Sequence, residues 1–154
     1  MRLGVISDTH GHFDPRVAEI FAGVDHILHA GDVGSLEVLS ELRLLAPVTA
    51  VLGNVDYWEM GLRLTECVEL GGRKFLLHHI VNPRQLGDEL KARLAEHQPD
   101  TVVFGHSHVA FQQTLDGVLF LNPGYAGKPR FNQPRSVAIL HLDGPSLRWE
   151  LVAP

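Results

Sequence analysis

Side chains that bind metal ions in proteins follow short apolar runs at five places in this 154-residue chain. Each run reads as a buried strand, and each ends on aspartate, asparagine or histidine. Because the carboxyl ends of neighbouring strands meet at one edge of a sheet, we expect these side chains to form a single site. In chain order they are Asp8, His10, Asp32, Asn54, His78, His106 and His108.

This mixture of ligand types favours transition metals. Two carboxylates and one carboxamide are hard oxygen ligands, whereas the four imidazoles are borderline. The set suits Mn²⁺ first, with Fe, Zn²⁺, Ni²⁺ or Co²⁺ as alternatives, better than Mg²⁺ or Ca²⁺. Seven ligands are too many for one catalytic ion, but they suit two ions that share a carboxylate. Two ions about 3.5–4 Å apart generate hydroxide near neutral pH and promote in-line displacement at phosphorus.

The elements that position these residues alternate between strand and helix in the first half of the chain. Strands are predicted over 2–7, 25–30 and 48–52, and the helices between them begin near Asp14 and Ser35. This β-α-β-α-β order predicts parallel strands with right-handed crossovers.

The second half is rich in hairpins. Turn residues between apolar runs predict three of them, at Gly71-Gly72, Asp116-Gly117 and Asp143-Gly144. A helix is predicted over about 83–97, and a strand over 101–104. The simplest arrangement is an α/β domain, spanning 1–154, with two sheets packed face to face and helices outside.

Composition narrows the classes of partner. The net charge is −5 and no long block of one sign occurs, so a dedicated nucleic-acid binder is not expected. The single cysteine, Cys67, excludes an internal disulfide and fits a reducing compartment. We find no signal-peptide pattern and no membrane-spanning stretch, and therefore expect a cytoplasmic protein without a membrane partner.

Five short motifs follow one another in an order and spacing that are specific together. They read Asp8-Thr9-His10, Gly31-Asp32, Gly53-Asn54, His78 and Gly105-His106-Ser107-His108. The set resembles the calcineurin-like metallophosphoesterases, above all their small, single-domain prokaryotic branch. The resemblance extends from Met1 to about Val152 and includes Asn122-Pro123-Gly124, which is usual in that branch.

The resemblance implies a four-layer α/β/β/α sandwich of two packed mixed sheets. It also implies that Asp32 bridges two ions and that the hydroxide between them attacks phosphorus. In that arrangement one ion is held by Asp8, His10 and His108. The other is held by Asn54, His78 and His106.

The chain departs from the family pattern at two motifs. Many relatives carry histidine directly after the asparagine, where it serves the leaving group, but here Val55 follows Asn54. The fourth motif usually reads His-Gly-His, whereas here it is His78-His79-Ile80. We assign His78 as the ligand, with His79 as the alternative. The catalytic candidates are Asp32, Asn54 and, for the leaving-group acid, His12, with Asp56 or His79 as alternatives.

The sequence thus predicts a dinuclear phosphoesterase that acts on a small phosphate ester. A phosphodiester is favoured because the usual leaving-group histidine and a basic cluster for a dianionic monoester are both missing. Other polar and aromatic residues keep two interpretations each. Arg130 and Arg135 either meet phosphate or solubilise a loop, and Tyr57 and Trp58 either wall the pocket or shield a contact between copies in a homo-oligomer.

A different class of function is a non-catalytic protein-interaction scaffold. A eukaryotic retromer subunit is similar to this branch and is described as a scaffold rather than an enzyme. Completeness of the ligand set separates the two hypotheses, and this chain retains every expected position. A nuclease ranks last, because the acidic chain offers no groove-length basic surface.

Overall fold

Ten strands form two five-stranded sheets in the computed structural model, which describes all of residues 1–154. Most strands are short, as is usual for a buried α/β core. In chain order they are β1 (Arg2–Ile6), β2 (His26–His29), β3 (Val48–Ala50), β4 (Thr65–Leu70), β5 (Arg73–His78), β6 (Thr101–Val103), β7 (Phe111–Leu115), β8 (Val118–Asn122), β9 (Val137–Asp143) and β10 (Ser146–Val152).

Both sheets are mixed. The first has the order β10-β9-β1-β2-β3 and the second the order β4-β5-β6-β8-β7. The predicted parallel pairing of β1, β2 and β3 is confirmed, and so are the three hairpins β4-β5, β7-β8 and β9-β10. The second sheet also contains parallel pairs, β5 with β6 and β6 with β8.

Three α-helices lie outside the sheets: α1 (Pro15–Ile20), α2 (Leu36–Arg43) and α3 (Asp88–His97). Asp14 caps α1 as predicted, because its carboxylate accepts the Arg16 backbone N–H at 2.9 Å. The third helix begins later than predicted. The Asn82 side chain accepts the Arg84 backbone N–H, and this local turn satisfies the chain before the helix starts.

Alternation of side chains along the strands builds four layers. In β1, Leu3 and Val5 pack between the two sheets, whereas Ile6 faces α1 and α2. In β5, Phe75 and Leu77 pack between the sheets, whereas Leu76 faces α3. The predicted α/β/β/α sandwich is therefore confirmed, with one hydrophobic layer between the sheets and one beneath each set of helices.

The parallel strands place their carboxyl ends at one end of the sandwich. Residues 8–10 follow β1, residues 30–32 follow β2 and residues 51–54 follow β3. From the second sheet, residue 79 follows β5 and residues 104–108 follow β6. None of the helices is long and apolar enough to cross a bilayer.

Candidate metal centre

Two groups of metal-ligating side chains lie side by side at this end of the sandwich. The first is Asp8, His10 and His108, and the second is Asp32, His79 and His106. Within each group the ligand atoms all lie within 4.8 Å of one another. The two sheets thus contribute jointly, as the positions of the motifs predict.

Asp8 connects the two sheets at the centre of the site. Its carboxylate is fully buried, and Oδ2 accepts hydrogen bonds from the Ser7 hydroxyl at 2.7 Å and the His106 backbone N–H at 3.1 Å. Oδ1 accepts no hydrogen bond, and the nearest imidazole atom is His108 Nε2 at 3.3 Å. One oxygen is therefore held by the protein and the other is left for a cation.

Asp32 lies between the two groups. Its Oδ2 is 3.7 Å from His10 Nε2 in the first group and 3.2 Å from His79 Nε2 in the second. Its Oδ1 accepts the Val55 backbone N–H at 3.0 Å. A carboxylate in this position can contact an ion in either group, which is the geometry that a bridging ligand needs.

His79, not His78, is the histidine that the fourth motif brings to the cluster. The prediction that placed His78 there is corrected by the register of β5. Successive side chains on a strand alternate, so His78 shares the face of Leu76 toward α3, while His79 has the parity of Leu77 and points to the cluster. His78 Nδ1 hydrogen-bonds the Thr65 hydroxyl at 2.8 Å instead.

The imidazole of His79 is oriented by the backbone. Its Nδ1 lies 2.7 Å from the Ala30 carbonyl oxygen, so Nδ1–H donates and Nε2 keeps its lone pair for a ligand bond. Nε2 is buried, has no hydrogen-bond partner and lies 3.8 Å from Asp8 Oδ1. A carbonyl that fixes the tautomer in this way is the usual support of a metal-binding histidine.

Asn54 joins the second group through its carboxamide. Its Oδ1 lies 3.0 Å from His106 Nδ1, and both side chains are exposed at the mouth of the site. Of the seven predicted residues, the structure therefore brings six together and exchanges His78 for His79.

The candidate leaving-group acids lie elsewhere or have other tasks. The His12 side chain is half-buried and makes no hydrogen bond or ion pair with the cluster, and its charged neighbour is Asp14. The Asp56 carboxylate accepts the backbone N–H groups of Val33, Gly34 and Gly53, at 3.1, 2.8 and 2.9 Å. Asp56 thus links two loops of the site, and its oxygens are already occupied by backbone N–H groups.

Backbone conformation at the site is unusual. Of the eight non-glycine residues with positive φ, five belong to the predicted set, namely Asp8, His10, Asp32, His106 and His108. Left-handed backbone costs an L-residue about 1–2 kcal/mol. Strain of this kind concentrates where a structure holds functional groups in place.

Glycines let the site loops approach closely. A Cβ added at Gly105 would lie 2.1 Å from Ser7 Oγ and 2.6 Å from Asp8 Oδ2. A Cβ at Gly53 would lie 2.1 Å from the Asp32 backbone nitrogen and 2.2 Å from its Oδ1. A Cβ at Gly31 would lie 2.7 Å from His79 Nδ1, so the glycines of the second, third and fifth motifs all permit close approach of the site residues.

Burial and neighbouring groups shift the pKa values of the carboxylates and of His79 in the site. Burial raises the pKa of Asp8 and outweighs the hydrogen bond from Ser7. Burial also opposes ionisation of Asp32, but the adjacent His79 imidazole and the hydrogen bond from the Val55 N–H prevail and lower the pKa of Asp32. These carboxylates in turn raise the pKa of His79 against the effect of its burial. The site stabilises positive charge.

The residues fit a pair of divalent cations. Asp8 Oδ1 and His79 Nε2 are buried ligand atoms without partners, and such atoms are costly unless something binds them. These two atoms lie 3.8 Å apart, and Asp32 Oδ2 lies beside them, 3.2 Å from His79 Nε2. His10, His106 and His108 complete a shell of nitrogen and oxygen ligands suited to transition metals.

Several residues support the site in roles that the sequence analysis did not assign. The Asn122 amide donates to the Gly105 carbonyl at 3.0 Å and to the Ser107 hydroxyl at 3.1 Å, and so holds the last motif in shape. Thr9 lies 3.0 Å from His29 Nε2, and burial lowers the pKa of His29 to about 3, so this histidine is neutral. A polar residue directly after the apolar run 118–121 was the signal for Asn122.

The two arginines of the loop over 125–135 have different surroundings. Arg135 donates to Asp14 at 2.8 Å and to the Gly127 carbonyl at 2.8 Å, and thus has a structural role. The Arg130 guanidinium lies 5.1 Å above the ring of Tyr125, which itself packs 4.8 Å from His108. Arg130 is the cationic side chain adjacent to the cluster. Tyr57 and Trp58 are exposed and line no cavity.

The fold and the cluster define a class: two mixed sheets that hold paired Asp/His groups at their common end. The profile of the calcineurin-like phosphoesterase superfamily domain matches residues 1–144. The chain belongs to this family, the calcineurin-like metallophosphoesterases.

Named relatives show the range of the family. A probable metallophosphoesterase of Methanothermobacter thermautotrophicus is 36% identical, over 99% of this chain and 92% of its own. A phosphodiesterase of Methanocaldococcus jannaschii is 32% identical, over 80% of this chain and 83% of its own. Vps29 of Entamoeba histolytica, solved in complex with Zn²⁺, is 27% identical with a TM-score of 0.75, over 99% of each chain.

Proposed function

We propose that the protein is a dinuclear metal-dependent phosphodiesterase that hydrolyses a small phosphate ester. The observation that carries the proposal is the meeting of Asp8 Oδ1 and His79 Nε2, two buried, unpartnered ligand atoms 3.8 Å apart, beside a carboxylate that borders both groups. A buried carboxylate oxygen and a buried imidazole nitrogen side by side are costly to leave unpaired, and a bound cation would satisfy both.

When bound, two divalent cations supply Lewis acidity and lower the pKa of water to near neutrality. Asp8, His10 and His108 would hold one of them. His79, His106 and Asn54 would hold the other, and Asp32 would serve both. We propose Mn²⁺ as the first candidate, and Zn²⁺, Fe, Co²⁺ and Ni²⁺ as alternatives, because the imidazole-rich set is borderline in character.

The protein's own residues fix the geometry of the reaction. Ser7 and the His106 N–H hold Asp8, the Ala30 carbonyl orients His79, and the Val55 N–H holds Asp32. Ligands held this way need little rearrangement as the phosphate reacts. The exposed edges of Asn54 and His106 leave the substrate an open approach.

A diester is the favoured substrate for two reasons. A phosphate monoester carries a second negative charge. Arg130 alone would have to balance that charge, because no cluster of cationic side chains lies beside the metal ligands. The residue after Asn54 is Val55, so the leaving group has no histidine at that position. When the alcohol of a diester is acidic, it can leave as its anion without a proton donor.

The test is hydrolysis of bis(p-nitrophenyl) phosphate and p-nitrophenyl phosphate by metal-free protein supplied with each divalent ion in turn. We expect turnover of the diester to depend on added metal and to exceed turnover of the monoester. The Asp32→Asn variant controls for contaminating phosphatases. Preference for the monoester would reject the diester assignment, and no turnover with any ion would reject the enzyme.

A protein-interaction scaffold is the second candidate, because Vps29 shares the fold along the whole chain. In that case the metal groups would be retained for structure, and the exposed Tyr57 and Trp58 would belong to an interface with a partner or with a second copy. The scaffold would be favoured if the wild-type protein bound no phosphate ester and formed a stable dimer that Trp58→Ser disrupts.

A further inference from the structure

A cleft opens beside the second group of the candidate metal centre. Its volume is about 230 Å³. Asn54 and His79, which belong to the cluster, form the wall that the two sites share. Leu52, Leu64 and Ile80 add apolar side chains to the lining.

The apolar walls of the cleft are open to water. Leu64 is 46% exposed and Ile80 is 52% exposed, although both lie next to a buried polar cluster. Most of the surface inside the cleft is apolar. An apolar cavity of about 150 Å³ accommodates a benzene ring, so this cleft has room for an aryl group.

One charged residue lines the cleft. Glu89, in the first turn of α3, adds an exposed carboxylate to the lining of the cleft. His78 also lines the cleft and is fixed by its hydrogen bond to Thr65. A carboxylate there disfavours a second phosphate or any other anionic group, so the expected occupant is uncharged.

The position of the cleft relates it to one part of a substrate. In an in-line displacement the leaving group departs opposite the nucleophile, and the ester group that stays on phosphorus lies to the side. The cleft adjoins the cluster, because Asn54 and His79 border both. We propose that it receives the retained ester group of a phosphodiester, and that this group is uncharged and apolar. This proposal rests on the proposed function.

Two diesters with one leaving group test the proposal. Phenyl p-nitrophenyl phosphate and methyl p-nitrophenyl phosphate both release p-nitrophenolate and differ only in the group assigned to the cleft. We expect the wild-type kcat/KM to be about tenfold higher for the phenyl ester, a usual discrimination by an apolar pocket. In Leu64→Ser and Ile80→Ser, this ratio should fall to near one. Leu44→Ser, at an 81% exposed site outside the cleft, is the control and should keep the wild-type ratio.

The carboxylate has its own test. For the wild type, kcat/KM should be lower for 4-carboxyphenyl p-nitrophenyl phosphate than for phenyl p-nitrophenyl phosphate. The Glu89→Gln variant should narrow this difference, because it removes the charge and keeps the shape. An equal response of both proteins to the added charge would contradict the assignment of Glu89.

The outcomes separate the cleft from the proposed function. Hydrolysis of both diesters with a phenyl-to-methyl ratio near one, or a ratio that neither serine substitution changes, would overturn the cleft alone. No hydrolysis of either diester with any ion would reject the proposed function. Calorimetric titration of the Mn²⁺-loaded protein with phenylphosphonate and methylphosphonate would then decide about the cleft. Equal affinities would reject it, and tighter binding of phenylphosphonate that Leu64→Ser abolishes would support it as a binding site.

Discussion

At the end of the sandwich that carries the cluster, five aspartates and histidines adopt left-handed backbone, whereas in the hairpin turns at the opposite end every such position but Asp116 is a glycine. Gly71, Gly72, Gly117 and Gly144 have φ between 56° and 79°, a region that glycine enters without steric cost. One end therefore turns at low cost, and the other accepts strain in exchange for the direction of its side chains. The stability of the rest of the fold therefore offsets the backbone strain at the cluster.

The two ends also differ in which buried polar atoms lack partners. At the cluster these are the carboxylate and imidazole atoms Asp8 Oδ1 and His79 Nε2, whereas at the opposite end they are Arg73 Nε and Thr101 Oγ1, which belong to neither ligand type. At the opposite end, the Asp100 carboxylate accepts the Lys74 backbone N–H at 2.7 Å, and the terminal amine of Met1 donates to the Leu142 carbonyl at 3.0 Å. If the unpartnered atoms of the cluster bind cations, substitutions there should affect metal binding and turnover. Substitutions in the hairpins should affect only stability.

The largest effect is expected for Asp32→Asn. It removes the charge that lies between both groups, so turnover of a diester should fall on the order of a thousandfold. The metal-free variant should unfold near the wild-type temperature, but the rise in melting temperature on adding Mn²⁺ should shrink. Asp116→Asn, in a hairpin turn at the opposite end, is the matched control, since asparagine tolerates the same left-handed backbone. Turnover at the wild-type level in Asp32→Asn would remove the basis of the metal-centre assignment.

Next in size is the difference between two adjacent histidines. His79→Gln should weaken metal binding by about 100-fold or more, because it removes a ligand atom and its carbonyl support. His78→Gln should change it less than about tenfold, since His78 hydrogen-bonds Thr65 on the other face of β5. Calorimetric titration with Mn²⁺ or Zn²⁺ measures both. A stronger effect at His78 would restore the assignment made from the sequence.

Much of this site was accessible from the sequence, and the exception has a physical cause. Aspartate, asparagine and histidine after apolar runs mark the carboxyl ends of parallel strands, and that logic placed six of the residues. It failed at His78 because β5 is buried on both faces. Phe75, Leu76 and Leu77 are all apolar, so the alternation that would reveal the register has no contrast.

Tertiary contacts explain other departures. Asp56 is a candidate acid in the sequence, but its carboxylate accepts two backbone N–H groups, of Val33 and Gly34, from a loop that only the fold brings near. The start of α3 moved because the Asn82 side chain competes locally for backbone N–H groups, a choice that apolar periodicity does not record. The order of strands in the sheets likewise depends on pairing across the chain, for which the local pattern carries no signal.

A third prediction compares glycines at the two ends. Gly105→Ala should lower the free energy of unfolding by about 3 kcal/mol and impair activity, because the new Cβ would overlap Ser7 Oγ and Asp8 Oδ2. Gly117→Ala meets nothing within 4 Å and has φ +79°, so it should cost only about 1 kcal/mol, from backbone strain, and leave activity intact. Urea denaturation and diester hydrolysis measure the two effects. Equal costs at both positions would mean that the close approach at Gly105 is unimportant.

The smallest effect concerns a carboxylate near the cluster that already has its partners. The hydrogen bond from Arg135, followed by that from the Arg16 N–H, lowers the pKa of Asp14 below its usual value. A lowered folded-state pKa contributes stability above the unfolded value of about 3.9, and this contribution is lost as the pH falls through the folded value. Asp14→Asn keeps the helix cap and removes the charge, so it should cost about 1 kcal/mol at pH 7.

The stability difference at low pH separates the contribution of the Asp14–Arg135 ion pair from that of the helix cap. Because asparagine caps about as well as aspartate, the difference between wild type and Asp14→Asn should shrink as the pH falls below about 4. Thermal unfolding at a series of pH values measures it. Metal affinity should stay unchanged, since Asp14 pairs with Arg135 rather than with the cluster. A difference that persists into acid would assign the effect to packing, and a change in metal affinity would tie Asp14 to the site that Asp8 and Asp32 form.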